Sequence, residues 1–252
     1  MPAYYNEIDP YAAQWLRNLI AAGHIAAGDV DERSIEDVHP DDLKPYIQCH
    51  FFAGIGVWSL ALRRAGWPDD RPVWTGSCPC QPFSAAGQGA GFDDPRHLWP
   101  DFHWLIAERQ PAVIFGEQVA SKDADPWVDL VQADLEAMAY AFGAVPFPSA
   151  GVGCPSIRDR VYWAACRSNA NRPGLPRAIQ QAAAGTPEIA LAWRAIERIH
   201  TARAWPAWLS ESGAPALVDG ATARVGRLRA YGNAINAEAA TQFIAAYLEA
   251  TP

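Results

Sequence analysis

The run Tyr46-Ile47-Gln48-Cys49-His50-Phe51-Phe52 passes straight into Ala53-Gly54-Ile55-Gly56 and then into an amphipathic helix over residues 57–65. A dense β-prone run, a glycine turn and a helix in immediate succession bring a backbone close to a ligand and point helix N–H groups at it. Shorter versions of the alternation recur, with apolar runs at residues 73–76 and 111–115 and helical patterns at residues 97–108 and 127–142. Apolar strands alternating with helices predict an α/β fold, a doubly wound and mostly parallel sheet. At 252 residues the chain can hold one large domain of this kind. The Gly54-Ile55-Gly56 turn lacks the third glycine of a dinucleotide fingerprint and is followed by Val57 and Trp58. That favours a nucleoside-type cofactor over a pyrophosphate-linked one.

The second constraint is Val73-Trp74-Thr75-Gly76-Ser77-Cys78-Pro79-Cys80-Gln81-Pro82-Phe83-Ser84. A strand stops at Gly76, and Cys80 then stands between two prolines, which holds a thiol on a stiff loop where α/β folds place reactive groups. Two other readings stand beside a nucleophile: half of a metal site, or a small buried hydrophobe. Cys49, Cys154, Cys166, His50, His97 and His103 repeat no ligand spacing, so no metal is expected.

The remaining chain supplies candidate partners. Ala3-Tyr4-Tyr5 reads as a short strand and residues 11–22 as a helix. Between them lie Glu7, the better candidate for the carboxylate that accepts bonds from a cofactor ribose, and Asp9, which could instead cap the helix. Residues 25–30 predict a strand, and the acidic, proline-containing stretch 32–45 predicts a connection with at most one turn of helix. Glu117 directly follows the apolar run 111–115. A carboxylate there is either a buried structural acceptor or a general acid with a raised pKa. Arg158 and Arg160 alternate into the apolar strand 161–164, which pairs with residues 144–146, so they share one face. They call for carboxylate or phosphate partners, or each forms an isolated salt bridge. Gly232-Asn233 is a turn and cap, or a polar element returning to the cleft before a closing helix over residues 237–248.

Charged residues make up 19% of the chain and the formal net charge is -8, so any polyanion contact must rest on local basic groups. Five cysteines without framework spacing, and no signal peptide or long apolar run, predict a reduced, soluble, cytoplasmic protein with no membrane contact.

A thiol loop, a strand-end glutamate, paired arginines and a glycine turn suit one chemistry. A thiolate attacks C6 of a pyrimidine while a carboxyl group engages N3, and C5 then accepts a methyl group. Taken in order, the motifs resemble those of the DNA cytosine-5 methyltransferases, which use S-adenosylmethionine. Phe52-Ala53-Gly54-Ile55-Gly56 resembles the family's cofactor loop, and Pro79-Cys80-Gln81-Pro82-Phe83-Ser84 its nucleophile loop. Glu117-Gln118-Val119 stands where the family has Glu-Asn-Val, Arg158-Asp159-Arg160 resembles its Arg-x-Arg element, and Gly232-Asn233-Ala234-Ile235 resembles its last cofactor-side motif. The resemblance implies Cys80, Glu117, Arg158 and Arg160 as catalytic residues. It implies Phe52, Gly54, Ile55, Gly56, Pro79, Asn233 and Ala234 as cofactor-binding residues.

One departure is large. Only 23 residues separate Gly56 from Cys80, room for one helix and one strand. The missing elements resemble sequence found upstream: Asn6-Glu7-Ile8-Asp9-Pro10 for the second motif and Gly28-Asp29-Val30 for the third. On that resemblance Glu7 and Ile8 take the ribose side and Asp29 and Val30 the adenine side, in a circularly permuted order. Smaller departures are His50 for an Asp, Gln118 for an Asn and Ser156 for a Gln.

The resemblance implies a seven-stranded Rossmann-like sheet, with a core over residues 1–165, a short irregular target-recognition insertion at residues 166–225, and residues 226–252 returning to the core. Arg172, Arg177, Arg194, Arg198 and Arg203 of the insertion are candidate DNA-backbone contacts. The implied substrate is a flipped-out cytosine in double-stranded DNA, bound by a monomer, in a prokaryotic or viral setting such as restriction-modification.

Overall fold

A computed structural model describes residues 2–79, 98–120, 124–154, 158–167 and 234–251. Its strands are β1 (Ala3–Asn6), β2 (Gly28–Asp31), β3 (Gln48–Phe51), β4 (Val73–Gly76), β5 (Val113–Val119), β6 (Tyr140–Pro146) and β7 (Arg160–Arg167). They form one seven-stranded sheet in the order β2-β1-β3-β4-β5-β7-β6. All pairings are parallel except those of β7, which runs antiparallel to both β5 and β6. The described helices are α1 (Pro10–Ala21), α2 (Val57–Arg64), α3 (Trp99–Arg109), α4 (Asp125–Ala137) and α5 (Ala237–Ala250). This is the doubly wound α/β sheet that the alternation of the sequence predicts.

Both faces of the sheet are covered because successive strand residues point to opposite sides. Tyr4, Phe51, Trp74 and Ile114 pack with Trp99, Phe102 and Leu135 of α3 and α4. On the other face, Val73, Phe115 and Tyr162 pack with Trp58 of α2 and Ile244 of α5, while Tyr5 packs with Leu16 of α1. Each fully buried large side chain contributes roughly 1.5–3 kcal/mol. Strands β1, β3 and β4 are buried at every position, and their polar side chains Asn6, Gln48, His50 and Thr75 are hydrogen-bonded there.

Two boundaries differ from expectation. The helical pattern over residues 127–142 ends at Ala137, and Tyr140 and Phe142 belong to β6. Ala139 adopts a left-handed conformation with φ of 64°, which stops the helix. Phe142 lies four residues beyond Met138, so it mimics a continuing helical face. Residues 32–45 hold two short 3-10 turns, Ile35–Asp37 and Pro40–Leu43, where at most one turn was expected. Burial of Ile35, Val38 and Leu43 in the α3 core stabilises them. A further helical pattern that the sequence carries over residues 189–200 lies outside the described residues.

His50 sits inside β3, 1% exposed, with Nδ1 2.8 Å from Thr75 Oγ1 and its ring stacked on Tyr5. Burial lowers its pKa to about 3. The folded state therefore stays neutral at His50 while the unfolded chain takes up a proton below about pH 6.5. Stability is complete above that pH and falls as the pH drops toward 3, by about 1.4 kcal/mol per pH unit. Denaturant unfolding at pH 7 and pH 5 should show His50→Asn losing about 2 kcal/mol less than the parent on acidification. Equal losses would remove His50 as the source of acid sensitivity.

Candidate active site

Strands β1, β3, β4 and β5 end on the same edge of the sheet, and antiparallel β7 begins there. The turns leaving them enclose a cleft of about 430 Å³, within the size range of small-molecule sites. It lies where β3 has β1 on one side and β4 on the other, the point at which the strand order reverses and ligands of open α/β sheets bind.

At one end of the cleft, Glu7 follows β1. Its Oε2 accepts from Gly54 N at 2.6 Å and its Oε1 from Asp9 N at 2.9 Å. Burial raises the Glu7 pKa, and these two backbone donors oppose the rise. Asp9 instead caps α1, accepting from Tyr11 N and Ala12 N. Phe52, Gly54 and Gly56 all have positive φ, at 52°, 55° and 77°. A side chain at Gly54 would meet nothing within 4 Å, so the glycine leaves open space where the backbone faces the cleft. At Gly56 a Cβ would press on Leu16 and Ile25, so this glycine lets the turn dock on α1.

At the other end stands Glu117, 7% exposed, with Oε1 2.6 Å from Arg160 Nε. Burial raises the Glu117 pKa, opposed by Arg160, Arg158 and the Ser77 hydroxyl. Burial and the neighbouring Arg160 lower that of Arg158. The carboxyl group is thus drawn toward its neutral form by burial and toward its charged form by the cations and the hydroxyl beside it. That suits a group exchanging or sharing a proton with a ligand.

The structure brings most of the sequence candidates into this one cleft: Glu7, Ile8, Phe52, Gly54, Ile55, Pro79, Glu117, Arg158, Arg160 and Ala234. Gly56 lies at its margin as the residue before α2. Asp29 and Val30 are not brought into it; they line a separate depression, where the Asp29 carboxylate accepts from Tyr46 Oη at 2.9 Å. Cys80, Asn233, Ser156 and most of residues 166–225 lie outside the described residues. Cys78 is buried, and burial pushes its thiol far above the ordinary range, which keeps it protonated.

Sequence reasoning missed several residues of the cleft. Arg33, Ser34 and Ile35 line it beyond β2, and the Asn6 amide pins that turn by donating to Arg33 O at 2.8 Å. Trp58 and Ser77 also line it. Their only signal was position: Asn6 and Ser77 are polar residues at the ends of apolar strands. Among the described residues no group of three or more His, Cys, Asp or Glu could hold a metal ion, and no helix is long and apolar enough to cross a membrane.

Comparison with known proteins follows the same outline. Residues 67–201 match the family described as C-5 cytosine-specific DNA methylase. Type II methyltransferase M.HhaI of Haemophilus parahaemolyticus is 31% identical over 106 residues, covering 40% of this chain and 32% of that protein. Type II methylase M.HgiEI of Herpetosiphon aurantiacus is 33% identical over 153 residues, covering 44% of this chain and 35% of that protein. The chain thus spans about a third of the length of these curated relatives. A solved structure of a Spodoptera frugiperda DNMT2 mutant aligns over 68% of this chain and 44% of that one, at 19% identity and a TM-score of 0.46.

Proposed function

This chain belongs to the C-5 cytosine-specific DNA methylase family, and from that premise we propose that it methylates C5 of a flipped-out cytosine in double-stranded DNA. The observation that carries the reading is the buried Glu117–Arg160 pair, 2.6 Å apart, in the same cleft as the Glu7–Gly54 turn. The relatives named as type II methyltransferases support DNA as the substrate class.

The residues present fit S-adenosylmethionine: an open glycine turn, a carboxylate beside it and apolar Phe52 and Ile8 around them. When bound, S-adenosylmethionine supplies the electrophilic methyl group. Glu7 accepts from the ribose hydroxyls with the lone pairs left over from Gly54 and Asp9. Ile8, Phe52, Ile55, Pro79, Asn233 and Ala234 hold the rest of the cofactor. The turn at Arg33, Ser34 and Ile35 closes the adenine side, with Asp29 and Val30 on its outer flank. Cys80 attacks C6 as a thiolate, and Glu117 protonates or hydrogen-bonds N3 as charge builds on the ring. Arg160 holds the base and fixes Glu117, while Arg158 supports both. After methyl transfer the C5 proton leaves to a base and elimination from C6 frees the thiolate.

We also infer the circularly permuted order. Two observations support it: the first two strands of the chain lie beyond β3 in the sheet, and Glu7 nonetheless reaches Gly54 N at 2.6 Å. The target-recognition insertion at residues 166–225, a monomer on DNA, a cytoplasmic location and a restriction-modification or viral setting complete the proposal.

A methyl-transfer assay with tritiated S-adenosylmethionine on duplex DNA and on structured RNA tests the substrate. Incorporation into DNA that falls steeply with added salt is expected, because phosphate contacts release counterions. Preferential labelling of RNA, or salt-independent transfer, would contradict it.

A further inference from the structure

The cleft continues past Glu7 to the turn after β2, where Ser34 and Ile35 line it. Side chains on both sides hold that turn. The Asn6 amide donates to Arg33 O at 2.8 Å, and the Arg33 guanidinium spans Asp31 at 2.7 Å and Asp42 at 2.9 Å. Ile35 is buried in the core beneath. Ser34 therefore stands on a fixed backbone at the edge of the cleft.

The hydrogen-bonding character of Ser34 is set as well. Its hydroxyl donates to Glu36 Oε2 at 2.8 Å. A hydroxyl has one proton, so what the Ser34 oxygen has left to offer a ligand is lone pairs. The turn that follows makes no bond to that side chain and leaves those lone pairs open. Asp29, the other polar candidate on this side, is engaged by Tyr46 in the separate depression.

On the methyltransferase reading, the chemistry of the cofactor decides what meets Ser34. The ribose carries the sulfonium chain on C5′ and adenine on C1′, so the two leave the sugar in opposite directions. The methyl group must face the Glu117 end of the cleft. With the ribose at Glu7, the adenine then points toward β2, which flanks β1 on the side away from β3. We propose that Ser34, oriented by Glu36, is the residue that selects the purine: it accepts from the 6-amino group of adenine. A 6-oxo purine would set its own lone pairs against those of Ser34 and bind more weakly.

The test is calorimetric titration with S-adenosylhomocysteine, the cofactor without its transferable methyl group, and with S-inosylhomocysteine, its 6-oxo analogue. The parent should prefer the adenosyl ligand by about tenfold, the equivalent of one hydrogen bond. Ser34→Ala should cut that preference to about twofold by weakening the adenosyl ligand. Glu36→Ala removes an exposed carboxylate and frees the Ser34 hydroxyl to donate. It should also cut the preference to about twofold, but by tightening the inosyl ligand. A packing role for Ser34 would weaken both ligands alike and give no response at Glu36. Asp29→Asn should keep the preference within about twofold of the parent. A parent without preference, an unchanged preference in Ser34→Ala or Glu36→Ala, or its loss in Asp29→Asn overturns the assignment. A parent that shows the preference but methylates no DNA refutes the methyltransferase reading and leaves the purine assignment standing. A parent that binds neither ligand overturns both.

Discussion

Glu117→Gln is expected to lower the rate of methyl transfer by on the order of 10²–10⁴-fold, while S-adenosylmethionine affinity stays within about threefold of the parent. The size of the loss follows from what an amide lacks. Gln keeps an acceptor for Arg160 Nε and nearly the same shape, but it has no proton to give to N3 as charge develops on the ring. Glu117→Ala is the poorer probe. It strands the Arg160 guanidinium in a site where the pair lies 2.6 Å apart and the carboxyl group is 7% exposed. Breaking a buried pair from one side costs about 3–5 kcal/mol, so folding and catalysis would fall together. Single-turnover methylation by Glu117→Gln, beside equilibrium binding of the cofactor, separates the two. Activity within about tenfold of the parent would remove Glu117 from the chemistry.

Much of this site was legible because its chemistry needs particular residues at strand ends. Glu117 after an apolar run and alternating Arg158 and Arg160 each depart from what packing alone would choose. The Glu117–Arg160 pair could be anticipated only in kind, since their union depends on β7 running antiparallel beside β5. Glu7 was the better ribose candidate in sequence and Asp9 the candidate cap, but an acidic pair before a helix that begins at Pro10 also suited plain capping. The distinction comes from the turn after β3, whose Gly54 N–H takes the Glu7 carboxylate. Asp29 stands apart from the cleft for a related reason. Its carboxylate is engaged by Tyr46, and β2 runs on to Asp31, so the residues at the cleft come later, at Arg33, Ser34 and Ile35. The helix over residues 127–142 overran because Phe142 continues the i+4 spacing of Met138. Nothing in that spacing reveals the left-handed Ala139. Trp58 and Ser77 were illegible as a pair because their hydrogen bond joins α2 to the end of β4.

The second large effect concerns Cys80, and the chain carries an internal control beside it. Cys80→Ala should reduce methyl transfer to background, because it removes the thiolate that attacks C6. Cys78, two residues away, is buried, and burial holds its thiol protonated. The nucleophile is the thiolate, so Cys78 cannot substitute. Glu117 and Arg160 remain in Cys80→Ala to hold the base, so DNA binding should persist.

The covalent attack is also the most direct test of the whole account. A duplex with 5-fluorocytosine at target positions blocks loss of the C5 substituent after methyl transfer and so traps the adduct. The parent protein, with S-adenosylmethionine, should form a denaturation-resistant protein–DNA complex on gels, and Cys80→Ala should form none. A complex that survives Cys80→Ala, or the absence of any complex across duplexes of varied sequence under conditions where the parent methylates DNA, would contradict it.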